Sequence, residues 1–583
     1  MKVLLIQPPV RDFYQTAIRT HPIGLAYLAA ALRNHHHEAE ILDCQPAGRK
    51  KTIPLPGSFS FIKPFYPEGD ISPFRLHAKF FHFGHTYEEI RGLITESMPD
   101  AVGISCQFTP YVGETIAAAA AVKSIDSKIP VILGGTHAST CPEQLLRNPA
   151  VDYVIIGEGE ETLPLLIATI ETGRQPKNLQ AVGFKDGGAC CVNPRKQFID
   201  NLDVLAFPAR DLLETSAYTI NGMPYTMLIT SRGCPQNCTY CSVASIMGKT
   251  FRPRSPDNII REIAFCRERF GITIFDIEDD NFTLDPDRAV QILEAIIDRF
   301  GENKIKLTAM NGLSVISLNE DMLRHMKRAG FQHLDLALGS SSAELNRRMN
   351  RQADAEKTES VLSQAHALGF PTTTYIILGI PGHRPADMMD SIVYLAARHT
   401  LLGPSIFYPS PGTRLYETMD RQKTASLADN SLLRSSLFPV ETDAFSRIDL
   451  ISLLRLCRWI NFIKRLLPRL PAQELSFSEL LGKARAQWWP DTVCPNRSCA
   501  PGDLFYISFP GPLHPDDAGK HLTALFLHWK IFYGIRRIST HNKDLYTYQF
   551  FPYKTSSRVI DLLWQQSAGL IVRAGRVKRR PRE

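Results

Sequence analysis

The chain has 583 residues, of which 44% are apolar and 21% are charged, and its net charge is +7. These values are typical of a globular protein of about three or four domains, and so mild a charge does not predict nucleic-acid binding. The 12 cysteines are too sparse for a secreted disulfide framework. The sequence has no run of about 18 apolar residues and no signal-peptide pattern, so we predict a cytoplasmic protein without a membrane span.

Residues 1–173 alternate short apolar runs with segments of helical period. Strands are predicted at Lys2–Gln7, Glu38–Asp43, Asp100–Ser105, Val131–Gly134 and Asp152–Ile156, and helices at Ile23–Arg33 and Thr115–Lys123. This alternation predicts an α/β domain with a doubly wound, Rossmann-like parallel sheet. Ligands of such sheets bind at the carboxyl ends of the strands. The candidate residues at those ends are Ser105, Gln107, Gly134, Gly135, Thr136, His137, Gly157 and Glu158.

The resemblance of this domain to a known family rests on three segments, which are Pro22–Ala29, Gly134–Ser139 and Gly157–Thr162. Through them the domain resembles the cobalamin-binding domain that precedes many radical S-adenosylmethionine domains. The resemblance implies that the residues at the strand ends bind cobalamin. The alternative is a sheet that binds another ligand or none, because a doubly wound fold alone hosts many functions.

Two histidines are candidates for contact with that ligand. In other cobalamin proteins the histidine of a D-x-H-x-x-G motif ligates cobalt. Here His21 precedes Pro22-Ile23-Gly24, but Arg19 stands where the aspartate would be. We therefore interpret His21 as a loop residue. His137 either contacts the ligand or caps a backbone group.

Two further stretches of the first 222 residues lack clear periodicity. The segment 59–83 is rich in aromatic residues and histidine, and we interpret it as a surface excursion, with a reach towards the substrate as the alternative. Residues 174–222 contain proline, glycine and short strand-like pieces and are predicted to be a linker. Cys190 and Cys191 lie in this linker and are interpreted as structural, because adjacent cysteines seldom ligate one metal.

Residues 223–418 repeat a strand followed by a helix about six times, which predicts a partial (β/α)6 barrel of the TIM type. Strands are predicted at Thr226–Thr230, Ile272–Ile277, Lys304–Met310, His333–Leu338, Thr372–Leu378 and Ser405–Tyr408, and helices at Asn258–Phe270, Arg288–Phe300, Asp321–Ala329 and Lys357–Leu368. Barrel enzymes carry their chemistry at the carboxyl ends of the strands. The first strand of this barrel leads directly into a cysteine-rich loop.

That loop contains Cys234, Cys238 and Cys241 with the spacing C-x3-C-x2-C. Three thiolates can hold three irons of a four-iron cluster and leave the fourth iron without a protein ligand. The alternatives are a zinc site or buried free thiols, but zinc usually needs a fourth ligand and no partner pair stands nearby. With the aromatic Tyr240 before the last cysteine, the spacing resembles the signature of the radical S-adenosylmethionine superfamily.

The resemblance extends over about residues 1–417 and implies a [4Fe-4S] cluster whose open iron binds S-adenosylmethionine. It also implies that the strand ends of the barrel contact this molecule, through Tyr240, Glu278, Asp279, Asp280, Ser340, Gly379 and Pro381. A solvated cluster of acids is the alternative for residues 278–280. The family usually has glutamate where this chain has Gly339, so the contact that this glutamate makes must come from elsewhere or be missing.

Residues 419–583 are predicted to be a mainly helical region of unknown role. The segment Phe445–Leu467 has an apolar face with several arginines and lysines among it. Packing on the barrel is the favoured interpretation, and peripheral contact with a membrane surface is the alternative. Cys494 and Cys499 have the spacing C-x4-C but no further partners for a metal, and Arg576–Arg582 is a basic tail.

These features together predict an enzyme that uses a [4Fe-4S] cluster, S-adenosylmethionine and cobalamin, most simply to methylate an unactivated carbon. A cobalamin-dependent cyclase or rearrangement enzyme is one alternative, and a cobalamin-binding regulator with a vestigial cluster is another. The predicted partners are a small-molecule or peptide substrate and a reducing protein such as flavodoxin or ferredoxin. No nucleic acid is expected as a partner.

Overall fold

The computed structural model describes residues 1–13, 21–45, 49–67, 69–70, 76–77, 79–419, 429–466, 473–476, 504–508, 533–538, 545–567 and 571–574. The strands up to residue 193 are β1 (Lys2–Gln7), β2 (Val10–Asp12), β3 (Glu38–Asp43), β4 (Lys50–Ile53), β5 (Phe80–Phe83), β6 (Ala101–Ser105), β7 (Val131–Gly134), β8 (Tyr153–Ile155), β9 (Val182–Asp186) and β10 (Ala189–Asn193). The helices are α1 (Ile23–Asn34), α2 (Tyr87–Ser97), α3 (Val112–Ile125), α4 (Thr136–Thr140), α5 (Pro142–Leu146) and α6 (Thr162–Glu171).

The first sheet has seven strands in the order β10-β9-β8-β7-β6-β1-β3. The five strands from β8 to β3 are parallel, in the order 2-1-3-4-5 of a doubly wound sheet. β1 is buried on both faces because its apolar run Val3–Ile6 packs against helices on either side. The predicted doubly wound fold is confirmed.

The hairpin of β9 and β10 extends this sheet, since β9 pairs antiparallel with β8 and β10 pairs antiparallel with β9. The prediction of a linker over residues 174–222 is therefore wrong in its first part, because the sheet continues to Asn193. Cys190 and Cys191 lie on β10 with free thiols. The two residues belong to a strand at the edge of the sheet.

The aromatic insertion is not a surface excursion. Its described residues contain most of a 3₁₀ segment (Gly57–Phe65) and β5, and β5 pairs with β2 and β4 in a separate antiparallel sheet. Phe59, Ile62 and Phe80 are buried in one hydrophobic core with the last barrel strands and a later helix. Sequence periodicity could not reveal this burial, because the barrel strands and the helix that cover the insertion lie more than 250 residues away.

The second region contains the strands β11 (Thr219–Ile220), β12 (Met223–Leu228), β13 (Ser231–Arg232), β14 (Arg252–Pro253), β15 (Ile274–Ile277), β16 (Lys306–Thr308), β17 (Leu313–Ser314), β18 (Leu334–Gly339), β19 (Thr372–Leu378) and β20 (Leu401–Ile406). Its helices are α7 (Val243–Ile246), α8 (Pro256–Phe270), α9 (Pro286–Phe300), α10 (Glu320–Ala329), α11 (Ala343–Arg348), α12 (Ala355–Ala367), α13 (Pro385–Ala396) and α14 (Arg414–Thr418). β12, β15 and β16 pair in parallel, as do β17 to β20, which gives the predicted partial barrel.

Local sequence signals define the helices of this barrel. α8 begins after Ser255, whose hydroxyl accepts a hydrogen bond from the amide of Asn258 at 3.2 Å. Pro256 is its first residue, and Gly271 ends it with φ +67°. A capping serine, a proline at the first position and a left-handed glycine after the end are favoured by helix geometry.

Beyond residue 418 the described residues form α15 (Arg447–Leu466), β21 (Gln473–Ser476), β22 (Leu504–Ser508), β23 (Tyr533–Ile538), β24 (Leu545–Pro552), α16 (Ser557–Ser567) and β25 (Ile571–Ala574). α15 packs beside β20, with Leu450, Leu453 and Trp459 in the shared core. No helix of the described part of the chain is long and apolar enough to cross a membrane. Cys494, Cys499 and the basic tail at 576–582 lie outside the described residues.

The basic residues of α15 are largely engaged inside the protein. Arg455 is 1% exposed and donates to the carbonyl oxygen of Phe65 at 2.5 Å. Lys464 donates to the carbonyl oxygens of Leu395 and Thr400, both at 2.8 Å, and burial lowers its pKa to about 7. The helix therefore packs on the barrel, as favoured, but these two side chains do not form a solvated basic face.

Candidate functional site

The cysteine loop follows β13 and is held by residues from two other loops of the barrel. The amide of Thr239 donates to the carbonyl oxygen of Met349 at 2.9 Å, and its carbonyl oxygen accepts from the amide of Leu415 at 2.8 Å. The side-chain amide of Asn350 donates to the carbonyl oxygens of Gln236 and Asn237, both at 3.0 Å. The loop is thus positioned by contacts to its backbone.

Gly233 makes the sharp turn into this loop. Its φ is +83°, and an added Cβ would collide with the carbonyl oxygen of Thr250. Only glycine fits both the backbone angle and the space. Its amide donates to the carboxylate of Asp280 at 2.9 Å, so the strand end after β15 supports the turn directly.

Cys234, Cys238 and Cys241 are half-buried free thiols on this loop, and burial raises the pKa of each. Each is close enough to at least one of the others to influence its ionisation. Within the described residues, no three Cys, His, Asp or Glu side chains converge on one metal ion. A four-iron cluster does not need such convergence, because each thiolate binds a different iron. The donor set and its loop therefore fit the cluster.

Two of the three acids after β15 support the loop rather than standing free. Asp279 is buried and accepts hydrogen bonds from the amide of Thr230 at 2.6 Å and from the hydroxyls of Thr230 and Ser231, both at 2.5 Å. Asp280 holds Gly233, as described above. Neither a solvated acid cluster nor direct contact of all three with S-adenosylmethionine describes this arrangement.

Glu278 is the remaining acid of this group, and it does not hold the cysteine loop. Its carboxylate accepts from the side-chain amide of Asn311 at 2.6 Å. Burial and the neighbouring Asp276 raise the pKa of Glu278 to about 8. This carboxyl group therefore holds a proton near neutral pH, and a bound cation would replace that proton and stabilise the carboxylate.

The remaining residues predicted to contact S-adenosylmethionine differ in their accessibility. Ser340 is 2% exposed, and its hydroxyl accepts from the amide of Ser342 at 3.1 Å. An added Cβ on Gly379 would lie 2.8 Å from the side chain of Leu450 on α15. Pro381 is half-buried, and so is Tyr240, whose hydroxyl accepts from Arg351 at 2.7 Å.

The carboxyl edge of the first sheet brings the predicted cobalamin residues together. Gly135 has φ +115°, and an added Cβ would lie 3.0 Å from the backbone of Cys106, so the loops after β6 and β7 approach each other closely. Ser105 and Thr136 are half-buried and Gln107 is exposed at this edge. Around Gly134 an added Cβ would meet no atom within 4 Å, which leaves open space for a ligand.

His137 lies in the same edge and is fully buried. Its Nδ1 is 3.1 Å from the hydroxyl of Thr109, and its Nε2 has no hydrogen-bond partner in the described part of the protein. Burial lowers its pKa to about 4, so the ring is neutral. A buried ring nitrogen without a partner is rare, and together with the open space at Gly134 it fits a site for a bound group.

Glu158 does not project freely towards this ligand space. Its buried carboxylate pairs with Arg232 at 2.8 Å and with Arg252 at 2.8 Å. Arg232 also pairs with the buried Glu160 at 2.5 Å. The prediction that the side chain of Glu158 contacts cobalamin is therefore corrected to a link between the sheet and the start of the cysteine loop.

Sequence reasoning missed Arg232 as a functional residue, although it directly precedes Gly233-Cys234. A charged residue next to a ligand motif was the available signal, but its partners are more than 70 residues away. Gly157, next to Glu158, is equally constrained, since an added Cβ would lie 2.7 Å from the side chain of Arg195. Its amide donates to the hydroxyl of Ser139 at 2.8 Å, which joins the loops after β7 and β8.

The carboxyl edges of the sheet and of the barrel approach each other at a second point. An added Cβ on Gly412, in the loop after β20, would lie 2.5 Å from the side chain of Thr140 on α4. The carbonyl oxygen of Gly412 accepts from the hydroxyl of Ser245 on α7 at 2.6 Å. The loops after β7 and β8 therefore lie next to the cysteine-bearing mouth of the barrel.

His21 is buried between the sheet and the barrel rather than lying in an open loop. Its ring lies 4.7 Å from that of Tyr218, and its Nε2 is 3.4 Å from the hydroxyl of Thr226 on β12. Burial, followed by the charge of Arg210, lowers its pKa to about 3. The side chain is engaged with the barrel, and its absence from the ligands of cobalt stays a prediction.

We expect the His21→Ala variant to leave the electron paramagnetic resonance spectrum of bound cob(II)alamin unchanged, because His21 contacts β12. Spectra of the parent and the variant reconstituted with cobalamin test this. His137→Ala serves as the comparison, since that ring lies at the carboxyl edge of the sheet. Loss of nitrogen hyperfine splitting on replacing His21 alone would contradict the prediction.

Two family models match the sequence of this chain. The model of the radical SAM superfamily matches residues 228–395, and the model of the B12 binding domain matches residues 76–167. The chain thus carries a radical SAM domain together with a B12-binding domain. The radical SAM domain brings S-adenosylmethionine and a [4Fe-4S] cluster as cofactors, and the B12-binding domain brings cobalamin.

Known proteins are similar to this chain along most of their length. An uncharacterized methyltransferase of Pyrococcus horikoshii is 27% identical over 421 residues, which cover 72% of this chain and 83% of the relative. The cytidylyl-2-hydroxyethylphosphonate methyltransferase of Streptomyces wedmorensis is 26% identical over 464 residues, with 72% and 82% covered. The structure of the radical SAM methyltransferase TsrM from Kitasatospora setae, with cobalamin and a [4Fe-4S] cluster bound, has a TM-score of 0.54 at 18% identity and covers 73% and 76%.

Proposed function

We propose that this radical SAM enzyme transfers a methyl group to an unactivated carbon of a small-molecule or peptide substrate. The observation that carries the proposal is the contact between the cysteine loop and the edge of the B12-binding sheet, through Arg232, Glu158 and Glu160. The two relatives named above are methyltransferases, which supports the same reaction class. When bound, the cofactors supply a radical that removes hydrogen from carbon and a methyl group that replaces it.

The residues of the chain take defined roles in this proposal. Cys234, Cys238 and Cys241 hold three irons, and Asp279 and Asp280 keep their loop in place. Glu278 takes the ammonium group of S-adenosylmethionine, because a carboxylate in the barrel mouth is a suitable partner for a cationic amine. The backbone at Gly379 and the half-buried Pro381 border the adenine, while Ser340 supports its own turn.

The B12-binding sheet contributes the second half of the site. His137 and the glycine-rich backbone at residues 134–135 border the corrin, with Ser105, Gln107, Thr136 and Gly157 beside them. Held next to the mouth of the barrel, the ligand would lie near the substrate carbon. Such positioning matters because a carbon radical must react before it is quenched. A reducing protein such as flavodoxin or ferredoxin, in the cytoplasm, completes the proposal.

Isotope labelling tests this function. With S-adenosylmethionine labelled on its methyl group, the label is expected in the product, and S-adenosylhomocysteine and 5′-deoxyadenosine are expected in about equal amounts. Mass spectrometry of anaerobic reactions measures all three. Formation of 5′-deoxyadenosine without label transfer and without S-adenosylhomocysteine would reject methyl transfer in favour of a cyclase or rearrangement. Absence of 5′-deoxyadenosine under all conditions would favour a regulator with a vestigial cluster.

A further inference from the structure

The turn after β18 lacks a side chain at the position where the family carries glutamate, and another residue fills that space. Gly339 has φ +83°, and an added Cβ would lie 2.7 Å from Cδ and 3.0 Å from Nε of Arg351. A glutamate could not be placed here without moving Arg351. The position therefore holds a cation from the following loop instead of an anion from the strand.

The side chain of Arg351 is fixed by three hydrogen bonds of its guanidinium group. Nη2 donates to the carbonyl oxygen of Ala337 at 2.6 Å, and Nε donates to that of Leu338 at 3.2 Å. Nη1 donates to the hydroxyl of Tyr240 at 2.7 Å. The group thus joins the end of β18 to the residue that precedes Cys241, and a planar fork of donors is needed to reach all three acceptors.

Arg351 also belongs to a short segment that positions the cysteine loop. Its neighbours Met349 and Asn350 make the contacts to the loop backbone described above. The guanidinium also lies within interaction range of the thiols of Cys238 and Cys234. No carboxylate forms a salt bridge with Arg351 among the described residues, so its charge is directed at the loop.

We propose that Arg351 is a positioning residue of the iron–sulfur cluster: its guanidinium orients Tyr240 and places a positive charge beside the thiolates, which raises the reduction potential of the bound cluster. Addition of an electron makes the cluster more negative, and a nearby cation in a partly buried site favours that state. The proposal builds on the assignment of the three cysteines as cluster ligands.

Redox titration of the full-length protein, reconstituted anaerobically with iron and sulfide and monitored by electron paramagnetic resonance, tests this role without turnover. We expect Arg351→Gln to hold the cluster but to shift its midpoint potential to lower values, with a reduced-to-oxidised ratio at fixed potential about tenfold smaller. Arg351→Lys keeps the charge and should stay close to the parent. Arg384→Gln is the matched control, because the Arg384 side chain is 73% exposed and pairs with Asp387.

The measured potentials decide whether the charge of Arg351 tunes the cluster. An unchanged potential in an Arg351→Gln protein with full iron content would overturn the proposal. If Arg351→Gln does not hold four irons, the Arg351→Lys protein decides the question. A lowered midpoint potential in Arg351→Lys would then overturn the proposal, and a potential equal to that of the parent would support it. Tyr240→Phe should leave the potential near that of the parent, and a shift as large as in Arg351→Gln would assign the effect to the hydroxyl instead. A parent protein without a four-iron cluster would refute the proposed function itself.

Discussion

The variant with Cys234, Cys238 and Cys241 all replaced by alanine is expected to lose the visible absorption of the iron–sulfur cluster and all cleavage of S-adenosylmethionine. The reason is that, in the proposed assignment, three thiolates on one loop supply every protein ligand of the cluster, and the loop contains no further thiol. Iron and sulfide content, absorption spectra and 5′-deoxyadenosine formation after anaerobic reconstitution measure the loss. Retention of four irons and of cleavage activity would contradict the assignment.

A matched control for this loss is the double variant Cys190→Ser and Cys191→Ser. These two thiols are half-buried like those of the loop, but they lie on β10 at the edge of the first sheet. The control should keep the full cluster content, because neither residue belongs to the cysteine loop. Equal loss of iron in the control would indicate general instability rather than removal of ligands.

The predictable part of the fold is the part encoded by local pattern. Apolar runs of about six residues identify the parallel strands, because a strand that is buried on both faces is apolar along its whole length. Helical periodicity identifies the helices between these strands. The ends of a strand are harder to predict where the chain stays extended beyond the strand. The sequence pattern places the last barrel strand at Ser405–Tyr408, whereas it lies at Leu401–Ile406, since Gly403 and Pro404 within it are poor strand signals.

The parts that could not be predicted depend on partners distant in sequence. The 3₁₀ segment with Phe59 has no period of its own, and its burial requires α15, almost 400 residues later. The hairpin of β9 and β10 has the composition of a linker, and pairing with β8 makes it part of the sheet. No feature of either segment alone specifies these contacts.

The candidate site also has features that local sequence predicts and features that depend on distant partners. The spacing of the three cysteines predicts the cluster loop because metal ligation places strict demands on local sequence. The run of acids after β15 indicates a functional group, but the separate roles of its members depend on how the strands pack: Asp279 reaches Thr230 after the neighbouring strand, whereas Glu278 reaches Asn311. Local sequence locates such a group, and only the packed barrel divides its members between support and binding.

The second large effect is expected on replacing Arg232 by methionine. Glu160 would then be left buried without its partner, while Glu158 would keep Arg252. Removal of one partner of a buried ion pair costs about 3–5 kcal/mol in unfolding free energy. Because Arg232 immediately precedes Gly233, we also expect reduced iron incorporation. Equilibrium urea unfolding followed by circular dichroism, together with iron analysis, measures both effects.

Two comparisons separate the buried charge from a general effect of the substitution. Adding Glu160→Gln to Arg232→Met removes the unpaired charge and should restore part of the lost stability. Arg33→Gln disrupts an exposed pair with Asp211, whose side chains are 40% and 48% exposed, and should cost about 0–1 kcal/mol. A cost for Arg232→Met no larger than that of Arg33→Gln would contradict the role of this pair in joining the two cofactor-binding regions.

The pH dependence of the stability difference between the parent and Arg232→Met provides an independent check. Although burial opposes it, the charge of Arg232 holds the pKa of Glu160 below its ordinary value of 4.5. A group with a lowered pKa in the folded state stabilises the protein above its unfolded pKa, and this contribution is lost as the pH falls through the folded pKa. The stability difference between the parent and Arg232→Met should therefore be largest near neutral pH and shrink below pH 4.5. A difference that stays constant across this range would mean that lost packing of the long Arg232 side chain, rather than its charge, accounts for the effect.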